Sequence, residues 1–221
     1  PQLSSSHRHR PVVAITFDDG YIDNLEFALP ILEHFSAPAS FFIAPRTIET
    51  GEEYWWDELE RHVFSAPGQL QDLQATINGA TISWPLDNSG SFPEPSGWRA
   101  WSSSPETVNQ ETYSRTWEAL HTLASHEREN VLVQFRQQTG IAAGARSTHR
   151  AMTLEELSEF SRHPLVEIGA HTMSHSRLAG LPADLQRQEL VEGKQWLECS
   201  LGLPVTSFAY PHGSVSDFTS E

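Results

Sequence analysis

Two short apolar runs, each breaking off into polar, chemistry-bearing residues, constrain the fold of this chain most. Val12-Val13-Ala14-Ile15 leads into Thr16-Phe17-Asp18-Asp19-Gly20, and Leu165-Val166-Glu167-Ile168-Gly169-Ala170 leads into His171-Thr172-Met173-Ser174-His175. The nearly unbroken apolarity of residues 11–17 predicts a strand buried on both faces of a parallel sheet. Residues 23–36 predict a helix with Leu25, Ala28, Leu29 and Leu32 on one face, and residues 39–44 a second buried strand. Strand, helix and strand in such close succession make a βαβ unit. Sheets and barrels of this class carry their sites at the C-terminal ends of their strands, where both polar strings fall.

Two histidines and a carboxylate suffice to hold one divalent metal with open positions, and a second carboxylate is then spare for proton transfer. Adjacent strand side chains point to opposite faces, so Asp18 and Asp19 converge only if the chain leaves the strand here, which Gly20 permits. A cation would offset the repulsion between the two carboxylates. Thr172 or Ser174 could orient His171 and His175. Taken singly, Asp-Asp-Gly reads equally as a solvated turn and the histidines as a surface pair. Their joint occurrence at two strand ends favours a metal-dependent hydrolase. At a third strand end, after residues 205–209, Tyr210-Pro211-His212-Gly213 is either an ordinary Pro-Gly turn or a pocket wall that aims a backbone N–H at a developing oxyanion.

The remaining sequence bounds this reading. At 221 residues the chain fits one domain with a real core. Its 14 Lys and Arg against 29 Asp and Glu, a formal charge of −15, disfavour nucleic acid or anionic membrane as partners. No apolar run reaches membrane-spanning length. Cys199, alone, excludes an internal disulfide framework and reads as a small buried hydrophobe. Residues 1–10 read as a disordered polar tail without a signal peptide; compartment and oligomeric state stay open.

Between residues 50 and 148 the rhythm changes. Asn78-Gly79 between β-branched residues predicts a hairpin, residues 85–104 a loop, and Ser104-Pro105 the start of a helix through Trp117 and Leu123. Another helix is expected over 126–138, ending near Gly140. Six of the seven Trp fall here (Trp55, Trp56, Trp84, Trp98, Trp101 and Trp117). Most read as local core, and one or two as platforms for sugar rings. Thr153-Leu154-Glu155-Glu156 is a capping box that restores the α/β rhythm, and a long helix is expected from Ala183 to Ser200.

Together, the three polar strings resemble the polysaccharide deacetylases (the NodB-homology domain, carbohydrate esterase family 4), over residues 11–45 and 150–213. Thr16–Gly20 matches that family's Thr-Phe-Asp-Asp-Gly signature and His171–His175 its His-Thr/Ser-x-x-His signature. The resemblance implies a distorted (β/α) barrel that removes acetyl groups from N-acetylated amino sugars of a glycan. It implies Asp19, His171 and His175 as ligands of a divalent metal, Zn2+ foremost, with Co2+, Ni2+, Mn2+ or Fe2+ as the other choices. Asp18 becomes the general base, the His212 backbone N–H the oxyanion donor, and Tyr210 and Pro211 the substrate-binding wall.

The chain departs from the family in three places. The third family motif often reads Arg-Pro-Pro-Tyr-Gly, and Ala209 stands where its Arg would be, as in a Phe-Ala-Tyr-Pro variant. The stretch at about 50–148 becomes a large mixed insertion within an 11–221 domain. The family's general-acid His lies on a later strand than any here, so the barrel is expected to be incomplete at the C-terminus and no general acid is assigned. Rival functions are an amide or imide hydrolase of the same fold acting on small nitrogen compounds, an Fe(II) centre on the same ligands, and a non-catalytic carbohydrate-binding relic.

Overall fold

The computed structural model describes residues 12–87, 97–214 and 216–218; the predicted tail at 1–10 and part of the predicted loop at 85–104 lie outside them. Strand β1 (Thr16–Asp19) leads through a π-helical turn (Asn24–Ala28) into α1 (Leu29–Phe35), and β2 (Ala39–Ile43) follows. Leu32 is buried on the expected helix face, and Ser36 closes α1 in the left-handed conformation. β5 (Val166–Ala170) completes an open parallel sheet of order β1-β2-β5. Asp19 pairs in register with Ile43, and Ile43 in turn with Ala170. The register therefore sets the Asp19 strand end level with the residue preceding His171, with only β2 between them.

Two strand predictions need correction. β1 is not buried on both faces: among the described residues it is the sheet edge, its burial only partial, and Val12 and Val13 before it are 51% and 83% exposed. Apolar composition does not say whether a neighbour covers it. Residues 205–209 form no regular strand either. Ala170 and Phe208 make one isolated parallel bridge, held by Ala170 N–H to the Ser207 carbonyl and Ala209 N–H to the Ala170 carbonyl. The barrel predicted from the sequence is, among the described residues, this open three-stranded sheet.

The middle of the chain builds its own packing unit. After α2 (Arg46–Thr50), α3 (Trp55–Phe64) packs on α4 (Val108–His121) and α5 (Ser125–Thr139), which in turn pack on the hairpin of β3 (Asp72–Ile77) and β4 (Ala80–Pro85). Asn78 and Gly79 both take positive φ, as a tight two-residue hairpin turn requires. Trp55, Leu59, Leu73, Trp84, Leu120 and Phe135 form a core distinct from the one under the parallel sheet, which is centred on Phe41, Ile43, Leu157 and Leu197.

α4 starts at Val108 rather than behind Ser104, because Thr107 and Gln110 cap it reciprocally. The Thr153 box opens α6 (Leu154–Phe160) as expected. α7 (Ala183–Leu201) ends at Gly202 in the left-handed conformation. Cys199 lies on its exposed side and is not the buried hydrophobe expected. A helix end that alternates core and solvent positions every few residues places a lone thiol on either side.

Candidate metal centre

Asp19 closes β1 with φ +75, and Gly20 follows with φ +86. Two successive left-handed residues turn the chain sharply off the strand, which is how adjacent carboxylates escape the strict alternation of a β-strand. A side chain on Gly20 would have its Cβ 3.0 Å from Ile43 Cδ1. Thr172 and His175 are also left-handed, with φ +60 and +55, so the segment after β5 curls back and returns His175 beside His171.

Asp19 Oδ1 lies 3.5 Å from His171 Nε2 and 3.2 Å from His175 Nε2, and the three ligand atoms fall within 4.8 Å of one another. His171 and His175 are buried. Despite these distances Asp19 Oδ1 is a buried oxygen without a hydrogen-bond partner, and His175 Nδ1 is likewise unpartnered among the described residues. A carboxylate oxygen and two imidazole nitrogens gathered this closely fit a cation between them. His171 Nδ1 lies 2.9 Å from the Ala209 carbonyl; a carbonyl only accepts, so Nδ1 carries the proton and Nε2 offers its lone pair.

Burial holds the His171 imidazole below its ordinary pKa, with His175 adding to the effect. Burial opposes the charge on Asp19, but His175, His171 and His212 around it outweigh that and keep its carboxyl below the usual range. An ionised carboxylate and a neutral His171 are the protonation states a divalent metal needs.

Residues outside the three strings complete the surroundings. Tyr54 donates its hydroxyl to the Asp19 carbonyl at 2.6 Å and stacks on Trp56 at 4.5 Å between centroids. Trp56 meets the His175 ring edge-on at 4.8 Å and donates from Nε1 to the Tyr21 hydroxyl, which in turn donates to Asp57 at 2.5 Å. Lost solvation, above all, raises the Asp57 carboxyl to about 7. On another side the His212 ring lies 4.8 Å from His175 and 4.5 Å from His121, which stacks on Trp117. Lost solvation, His175 and His121 push the His212 pKa down.

The other predicted residues are placed as follows. Asp18 is exposed and close enough for its charge to act on His171. His212 takes φ +67, and its backbone N–H has no hydrogen-bond partner among the described residues. Pro211 is buried beside it. Tyr210 is 45% exposed and packs on Phe208 and Phe218 rather than on the ligand residues. Tyr54 and His121 carried no sequence signal as site residues, and Trp56 stood only among the six tryptophans considered as sugar platforms, because only the tertiary fold brings the middle segment against the strand ends.

A carboxylate and two histidines gathered at the C-terminal ends of parallel strands form a group that could hold one metal ion. The chain belongs to the polysaccharide deacetylase family, which matches residues 5–221. No curated protein matches it. Among solved structures it is similar to the Streptococcus pyogenes deacetylase PplD in complex with acetate, at 16% identity and a TM-score of 0.45, over 92% of this chain and 48% of that one. It is also similar to the deacetylase domain of BpsB from Bordetella bronchiseptica, at 16% identity and a TM-score of 0.41, over 90% of this chain and 55% of that one. The chain thus spans about half the length of these two. Among the described residues no helix is long and apolar enough to cross a membrane.

Proposed function

We propose that the chain is a metal-dependent deacetylase acting on N-acetylated amino sugars of a polysaccharide. The observation that carries this reading is the convergence of His171 Nε2 and His175 Nε2 on the buried Asp19 Oδ1, in a chain of the polysaccharide deacetylase family. Asp19, His171 and His175 hold a divalent cation, Zn2+ by its preference for nitrogen and oxygen donors in a small site. When bound, the cation supplies Lewis-acid polarisation and an acidified water.

The chain's own residues do the rest. Asp18, next to a ligand but not among the three, accepts the proton of the attacking water, and that proton passes to the amine nitrogen as its bond to the acetyl carbon breaks. The unpartnered N–H of His212 donates to the oxyanion that forms at the acetyl carbonyl. Tyr210 and Pro211 line the approach to the sugar. His171 keeps its lone pair directed at the cation through the Nδ1 contact to Ala209.

The test is acetate release from N-acetylglucosamine oligomers by the Zn2+-loaded and chelator-stripped protein. Release that is lost on stripping and restored by Zn2+ is expected. Equal rates with and without metal contradict the proposal.

A further inference from the structure

We infer that Glu189 and Gly193, one turn apart on α7, are positioning residues that fix the turn between the two histidine ligands; the inference rests on the metal-centre reading above. Positions four apart lie on the same helix face, and this face of α7 meets residues 172–174. With Thr172 left-handed, the next two backbone N–H groups, of Met173 and Ser174, point the same way and form an anion-binding concavity. The Glu189 carboxylate fills it: Oε2 accepts from Met173 N at 3.0 Å and from Ser174 N at 2.9 Å. Its Oε1 accepts from the Ser174 hydroxyl at 2.6 Å.

Gly193 lets the helix come close enough to do this. A Cβ built on it would stand 2.8 Å from the carbonyl carbon and oxygen of Thr172 and 2.9 Å from Met173 N. All three are backbone atoms of the ligand turn, so neither side can yield without moving the turn. Left-handed residues such as Thr172 and His175 persist only where their surroundings fix them. Here the surroundings are a helix backbone in contact and a carboxylate in the concavity. On the far side, Ser125 at the start of α5 places its hydroxyl 3.1 Å from that of Ser174 and 2.9 Å from that of Ser176. The turn is thus held between α7 and the middle segment, and the spacing of the two imidazoles depends on that grip.

The experiment measures Zn2+ affinity by competition with a chromophoric chelator, and the visible spectrum of the Co2+-loaded protein, for Glu189→Ala, Glu189→Gln and Gly193→Ala. Glu156→Ala, which breaks the α6 capping box and the Arg150 pair and leaves the Glu189 contacts to the turn in place, serves as the stability control. Glu189→Ala should weaken Zn2+ binding by roughly tenfold or more, the scale seen when groups that orient ligands are removed, and should alter the Co2+ spectrum. Glu189→Gln, which keeps an accepting oxygen, should lose less. Glu156→Ala should lower the melting temperature and leave the Zn2+ Kd unchanged. If Gly193→Ala fails to fold, the Glu189 pair alone decides. A folded Glu189→Ala with wild-type Kd and spectrum overturns the inference, showing Glu189 to be only a brace for α7. A wild type that takes up no Zn2+ overturns it together with the metal centre. A wild type that binds Zn2+ but releases no acetate removes the proposed reaction, and loss of Zn2+ affinity in Glu189→Ala still supports the inference.

Discussion

The Tyr54 hydroxyl donates to the backbone carbonyl of Asp19 at 2.6 Å, tying a residue of the middle segment to the one carboxylate among the three converging donors. Asp19 holds a left-handed backbone without being glycine, a conformation that costs free energy unless its surroundings enforce it. Tyr54→Phe keeps the ring stack on Trp56 and removes only the hydroxyl. The variant should lose about 1 kcal/mol of stability, the usual net worth of such a bond, and bind Zn2+ up to roughly tenfold more weakly. Urea unfolding and chelator competition measure the two effects.

Acid should unfold the middle segment through Glu58. This buried carboxylate pairs with Arg136 at 2.5 and 2.7 Å and faces His62 at 3.1 Å. Burial alone would raise its pKa, but His62 and Arg136 outweigh burial and bring it to about 2, from an ordinary 4.5. Because the folded pKa is the lower one, the stabilisation is present above pH 4.5 and is lost as pH falls towards 2. Glu58→Gln should cost about 3 kcal/mol at pH 7, as removal of one partner of a buried pair does. Its stability should also fall less steeply between pH 4.5 and 2. Glu156, also held to about 2 by Arg150, titrates in the same window, so the slope is reduced rather than abolished. Chemical denaturation at a series of pH values checks the difference.

In the proposed reaction the neighbours Asp18 and Asp19 have separable roles. Asp18→Asn keeps the three ligands and removes the proton acceptor. Its metal content should match wild type while kcat for acetate release falls roughly 10²- to 10⁴-fold. Steady-state kinetics on N-acetylglucosamine oligomers, with metal analysis of the same samples, separates the two.

What was legible in the sequence were local signals. The Asn78-Gly79 hairpin, the Thr153 capping box and the close of α5 at Gly140 depend on a few residues of fixed stereochemistry, and they stand where expected. The convergence of Asp19, His171 and His175 followed from two strings at strand ends, and the parallel register realises it. Sheet position was not legible: Val12 and Val13 are as apolar as a covered strand, yet β1 is an edge. Cys199 missed its face of α7 by the same kind of ambiguity. Tyr54, Trp56 and Glu189 reach the centre across 35, 119 and 15 or 16 residues of chain, to the Asp19 carbonyl, His175 and the Ser174 and Met173 amides. Contacts of that kind arise from packing between elements, which a periodicity or a capping pattern does not encode.

The most direct measurement is metal content after dialysis, for the wild type and for Asp19→Ala and His171→Ala. Close to one equivalent of divalent metal is expected in the wild type and loss of it in both variants, with all three proteins folded by circular dichroism. A folded wild type that retains no metal, or variants that retain as much as wild type, would contradict the assignment of Asp19, His171 and His175 as its ligands.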